Sequence, residues 1–137
     1  MIAFRLRHPC FMRPEFYTGR GGNYNAIPDI SWFDEKGQSP DWDKIGGALA
    51  LRIDGSKADT LADRDDNDFF IMFNSGVEVQ PFLLAAPPAK KEWLRVVDTG
   101  LQSPNDILLP GEEKRLSSQN IYNVKARSMV VLISKER

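Results

Sequence analysis

A chain of 137 residues with 42% apolar composition is long enough for one core, and at that size it buries roughly two-thirds of the surface its unfolded form exposes. A net charge of -1 and a pI of 5.8 leave no basic excess to neutralise a phosphate backbone, so nucleic acid is not an expected partner. The single cysteine, Cys10, cannot form an internal disulfide, and no stretch approaches the ~18 consecutive apolar residues of a membrane span or the pattern of a signal peptide. A cytoplasmic, reducing setting with no membrane partner is the expectation.

The first element, residues 1–16, is basic and apolar and shares neither the acidity nor the turn spacing of the rest of the chain. Ile2, Phe4 and Leu6 alternate with Ala3, Arg5 and Arg7, which by period alone is a strand. Wound as a helix, the same residues place Ile2 and Leu6 on one side and Phe4 nearly opposite, so a helix here needs two surfaces to bury against. Pro9 pushes His8 toward extended geometry and ends any such helix.

A Gly-rich stretch, Gly19 to Asn25, leads into short β-branched and aromatic runs punctuated by turn signals. The runs are Asp29 to Phe33, Ala48 to Ile53, Phe69 to Phe73, Val77 to Leu84, Trp93 to Val97, Ile121 to Val124 and Met129 to Ile133. In the second, Leu49, Leu51 and Ile53 alternate with Ala50, Arg52 and Asp54, the pattern of a half-exposed strand; Phe69 to Phe73 and Val130 to Ile133 are apolar throughout and read as central. Asn74-Ser75-Gly76 predicts a hairpin joining the third run to the fourth. The polar stretches Ser56 to Asp68 and Gln102 to Gln119 read as surface loops. Antiparallel strands over a shared core predict an all-β fold, an antiparallel β-sandwich.

Candidate chemistry is sparse. Asp63, Asp65 and Asn67 match the first oxygen ligands of a calcium loop, but Asp68 stands where the sharp turn needs Gly and Asn74 where a bidentate carboxylate belongs, so no metal site is expected. The one histidine, His8, lies beside Pro9 and reads as a hydrogen-bonding group at a segment end, not as the base of a catalytic device. Cys10 reads as a packing group. No spacing among the 19 Asp and Glu residues suggests a glycosidase pair, and no phosphate loop or nucleophile elbow is present. Catalytic and cofactor-binding residues are therefore expected to be none, and no cofactor is called for. Among the aromatic residues, Trp32 shares a strand side with Ile30 and Trp93 opens an apolar run, which predicts core packing for both. Trp42, between Asp41 and Asp43 in a loop, and Tyr17 and Tyr24, beside the Gly-rich stretch, are the candidate glycan contacts, since an exposed ring meets the apolar face of a sugar.

Ile2-Ala3-Phe4-Arg5, His8-Pro9, Phe11 and Phe16, followed by Asp29-Ile30-Ser31-Trp32-Phe33, Gly37, Asp41-Trp42, Asp54-Gly55, Phe73-Asn74, Phe82-Leu83-Leu84, Trp93, Asp98-Thr99, Tyr122, Ala126-Arg127-Ser128 and Val131-Leu132, resemble in order and spacing the C-terminal region of isoamylase-type glycogen debranching enzymes of the alpha-amylase superfamily. The resemblance implies that residues 1–16 are the end of the last helix of an upstream (β/α)8 barrel plus a junction, and that residues 17–137 form a Greek-key-like C-terminal β-sandwich. It also implies α-1,6-glucosidic bond hydrolysis by a retaining two-carboxylate mechanism with a third acid, all on the barrel, so none of those residues is carried over. The acidic stretch Asp63 to Asp68 and the loop Gln102 to Gln119 depart from the pattern. The expected function is a non-catalytic accessory domain that stabilises the barrel of its own polypeptide; the alternative is an independent carbohydrate-binding module for alpha-glucans.

Overall fold

The computed structural model describes residues 1–21, 25–56 and 64–137. Its short N-terminal helix α1 (Ile2–Arg7) and a 3-10 turn (Pro9–Met12) precede eight strands: β1 (Ile30–Phe33), β2 (Ala48–Ile53), β3 (Phe69–Asn74), β4 (Gln80–Leu83), β5 (Lys91–Asp98), β6 (Lys114–Arg115), β7 (Ile121–Val124) and β8 (Ser128–Glu136). Six of them form one antiparallel sheet in the order β1-β2-β3-β8-β5-β6, and β4 pairs with β7 in a second sheet. The fold is the expected all-β sandwich with a short helix in front.

The large sheet is covered on both faces. On one face Ala50, Phe70, Met72, Trp93, Val130 and Leu132 pack with Phe82 and Val124 of the two-stranded sheet. On the other, Leu51, Ile53, Phe69, Val97, Val131 and Ile133 pack with Cys10, joined by Phe4, Phe11 and Tyr17 of the N-terminal segment. Two-sided burial explains the continuous apolar runs of β3 and β8, whose side chains alternate between these faces.

Strand β2 departs from its sequence pattern for the same reason. Arg52 and Asp54 are buried, not solvated, because each meets a polar partner: Arg52 Nη2 lies 2.6 Å from Asp68 Oδ2, and Asp54 accepts hydrogen bonds from the Asn25 amide at 2.9 Å and the Ser56 hydroxyl at 2.6 Å. Asp68 is thus an interior anchor, not part of a solvated loop. Gly55 is fixed by the same approach of two segments, since a Cβ there would lie 2.3 Å from the Asn67 carbonyl oxygen.

The hairpin expected at Asn74-Ser75-Gly76 does not form. Strand β3 pairs with β2 and β8, and the chain crosses instead to the smaller sheet. Asn74 makes that corner: its buried amide donates to the carbonyls of Glu78, Val124 and Lys125 at 2.8, 3.1 and 3.0 Å, and its Oδ1 accepts the Gly76 N–H at 2.9 Å. A side chain reaching residues fifty positions away cannot be read from a local turn motif.

The stretch Gln102 to Gln119 is more ordered than a surface loop. Leu108 is buried, its N–H donates to the Val96 carbonyl at 2.9 Å, and β6 adds a two-residue edge to β5. Gln119 continues that edge with its side chain, accepting the Trp93 N–H at 2.6 Å and donating to the Trp93 carbonyl at 3.0 Å, so the backbone of β5 is paired where no strand lies.

Candidate functional site

The N-terminal segment becomes a helix because it has an aromatic surface to lie on. Phe4 and His8, one helical turn apart, meet the ring of Phe69 with centroids 5.7 and 4.9 Å away, both edge-on, while Phe11 adds a third contact at 4.7 Å. Pro9 then stops the helix, with His8 extended at φ -114°.

Polar clips hold the segment down. His8 Nδ1 lies 2.7 Å from Asp66 Oδ1, and since an ionised carboxylate only accepts, Nδ1 carries the donated proton; the Cys10 N–H reaches the other oxygen of Asp66 at 3.3 Å. Asp29 accepts the N–H groups of Thr18, Gly19 and Ile30 at 2.7, 2.8 and 2.8 Å and pairs with Arg13 at 2.9 Å. Burial alone raises both carboxyls, but hydrogen bonds outweigh it: Thr18, Arg13, Gly19 and Ile30 hold Asp29 below the ordinary carboxylate value, and His8 and Asn67 do the same for Asp66. Cys10 is fully buried and its thiol is pushed up by burial and by Asp66, so it stays protonated and acts as a packing group.

These clips make the segment sensitive to acid. For a carboxyl whose folded pKa is lowered, the stabilisation is complete above the unfolded value, near 3.8, and is lost as pH falls through the folded value. Residues 8–20 should therefore loosen as pH is taken from neutral to well below about 3.8, and amide exchange at Thr18 and Gly19 should speed up before exchange in β8 does. Equal protection of Thr18 and Gly19 at both ends of that range would exclude Asp29 as the clip.

With Phe4 turned inward, the other side of α1 is left bare: Ile2 is 80% and Leu6 62% exposed, and Phe16 projects almost fully from the end of the segment. The segment covers only part of its sheet face. Beside it, Met1, Ile2, Arg5, Ile71, Phe73 and Met129 border an open groove whose walls are almost wholly apolar. Phe73 and Met129 are paired neighbours on β3 and β8, so the groove floor is the uncovered end of the large sheet.

The aromatic residues divide differently from the sequence expectation. Trp93 is fully buried, and its Nε1–H donates to the Ala85 carbonyl at 2.8 Å. Trp32 is not a core residue: it is 38% exposed on edge strand β1 and packs edge-to-face on Trp42, 60% exposed, with centroids 5.6 Å apart at 74°. Among the described residues, this edge strand of four residues has no further strand beside it to cover that ring. Tyr17 is partly buried, with Arg13 over its ring at 4.5 Å and its hydroxyl donated to the Cys10 carbonyl, and burial pushes that hydroxyl's pKa up to about 12. Tyr24 lies outside the described residues, as does Asp63 of the calcium-like stretch. In the rest of that stretch Asp66 and Asp68 point inward to His8 and Arg52, and among the described residues no three acidic, cysteine or histidine side chains converge as a metal site.

Two surfaces therefore stand out: the apolar groove beside α1 and the tryptophan pair on β1 and the loop after it. The groove could be found in the sequence only as the paradox of a short segment with apolar groups on opposite sides. The Trp32–Trp42 pair had no local signal, because a strand-and-loop contact brings the rings together.

Comparison with known proteins supplies the context. The family model described as isoamylase, C-terminal, matches residues 29–133. Over 98% of its length the chain is 34% identical to an isoamylase of Flavobacterium sp, covering 18% of that protein, and 27% identical to an isoamylase of Pseudomonas amyloderamosa, covering 17% of it. It is also 28% identical to the chloroplastic isoamylase 2 of Oryza sativa subsp. japonica, again over 98% of the chain and 16% of the relative. The chain thus spans less than a fifth of the curated relatives it matches.

Proposed function

We propose, given that this chain belongs to the isoamylase C-terminal domain family, that it is the non-catalytic accessory domain of a glycogen-debranching glycoside hydrolase. The partner is the catalytic (β/α)8 barrel of the same polypeptide, which hydrolyses α-1,6-glucosidic bonds with groups that lie outside these residues. Residues 1–16 form the junction and residues 17–137 the sandwich, and the protein works in the cytoplasm, where the lone thiol of Cys10 is stable. Among the described residues no helix is long and apolar enough to cross a membrane.

The observation that carries this reading is the bare side of α1 together with the apolar groove beside it. Ile2 and Leu6, largely exposed, each gain up to about 1.5–3 kcal/mol when fully covered, Phe73, already mostly covered, gains less, and a contiguous apolar surface of this kind marks an interaction site. A domain seated through it stabilises the barrel, and the barrel in turn keeps that surface from associating with other chains.

Substituting Ile2→Lys with Phe73→Lys in the longer enzyme should lower its melting temperature and its debranching rate after mild heating, while the same changes in the 137-residue chain leave its own melting nearly unchanged. Calorimetry on both proteins checks this. If the longer enzyme melts unchanged and keeps full activity, with the double substitution or with residues 1–137 removed, the accessory reading is wrong.

A further inference from the structure

The tryptophan pair is chemically unlike the groove. Trp32 and Trp42 present large apolar ring faces, but they are carried by β1 and by residues 34–47, where Asp41, Asp43 and Lys44 are exposed. The same loop borders a polar cleft lined by Asp34, Glu35, Asp41, Lys44 and Gln80. A protein face seated on the rings would strip water from these charges, which interface cores avoid. A sugar chain leaves them hydrated and offers hydroxyls for them to bind, while its apolar ring faces lie on the indoles.

From this juxtaposition we infer that Trp32 and Trp42 form a binding site for the outer chains of an α-1,4-linked glucan. The choice of α-glucan rests on the function proposed above, and the geometry of the pair agrees with it. Ring planes 74° apart cannot both stack on one flat ribbon, as a β-1,4-linked chain presents, but they suit a chain that turns from one residue to the next. Asp41, Lys44 and Gln80 line the adjoining cleft as hydrogen-bonding partners for hydroxyls. Trp32 and Trp42 touch the ligand through stacking only, so binding is weak for a single chain. On a branched polymer it is repeated, and it raises the effective concentration of branch points near the barrel.

The test is a titration of the 137-residue chain with maltoheptaose, followed through the three indole N–H signals by NMR. The expected result is saturable shifts at Trp32 and Trp42 in the millimolar range with Trp93, buried in the core, unmoved as an internal standard. Trp42→Ala and Trp32→Ala should each weaken binding by about tenfold or more while the Trp93 signal keeps its position. No shift at millimolar maltoheptaose overturns the site, and equal shifts with cellohexaose overturn the α-glucan assignment. Indoles of Trp32 and Trp42 that are shielded from solvent in the longer enzyme would show a protein contact and overturn the proposal as well. Because the titration does not involve the groove, its failure leaves the docking reading standing, and the melting experiment on the groove leaves the titration standing.

Discussion

Arg52→Met should destabilise the sandwich by about 3–5 kcal/mol, the loss expected when one partner of a buried ion pair is removed. The guanidinium donates through Nε and Nη2 to Asp68 Oδ2 at 3.0 and 2.6 Å and through Nη1 to the Ala86 carbonyl at 3.2 Å, and both side chains are nearly sealed from water. Asp68 is already pushed above its ordinary value, by burial first and then by nearby Asp54, and Arg52 is the main group that opposes this, with a smaller contribution from the Gly55 N–H. Without Arg52 its folded pKa rises further. A carboxyl whose folded pKa exceeds its unfolded one costs stability as pH climbs through that interval, so the variant should be least impaired near about pH 4 and most impaired near about pH 8. Urea melts across that range check both points. Arg52→Met combined with Asp68→Leu should recover much of the loss, because an apolar pair of similar volume leaves no stranded charge. A single variant that loses less than about 1 kcal/mol would mean the pair behaves as a solvated surface bridge.

Phe69→Ala should cost about 3–5 kcal/mol as well, through lost transfer energy and the cavity left behind. It should also have an effect that other core truncations lack. Phe69 is fully buried beneath Phe4, His8 and Phe11, so its ring is the seat of the whole N-terminal segment. Limited trypsin digestion at Arg5, Arg7 and Arg13 should accelerate sharply in Phe69→Ala. Val130→Ala makes the comparison: Val130 is equally buried but belongs to the opposite face, under the two-stranded sheet. It should lower stability without exposing those arginines. If the two variants are cleaved alike, the segment is held by Asp29 and Asp66 and not by the aromatic seat.

The hydrogen-bond clips show why the sequence was an incomplete guide to polar residues. Asp54, Asp66 and Asp68 looked like turn or loop carboxylates and Asp29 like the start of a strand, yet each is an anchor whose partner lies elsewhere in the chain: Asn25, His8, Arg52 and Arg13 respectively. Local pattern records the periodicity of an element and not the residue it will meet. The same limit explains Asn74, read as a hairpin turn and found to be a corner between sheets. It explains Trp32 too, assigned to the core on its alternation with Ile30 although β1 is an edge.

What the sequence alone determined was the architecture: short β-branched and aromatic runs at turn spacing made an all-β sandwich, and apolar residues on both sides of Phe69 to Phe73 and Val130 to Ile133 made those strands central. It also carried the order of residues on which membership in the isoamylase C-terminal family rests. Period alone left the N-terminal segment open between strand and helix, and only the family resemblance implied the helix; the tertiary structure alone decided which side of that helix was left bare and which two tryptophans met at the surface. Period 2 in six residues is satisfied by either geometry, and the choice falls to whatever surface is available to bury Phe4. That surface is the ring of Phe69, sixty-five residues away, and packing over such separations is where local pattern stops carrying information.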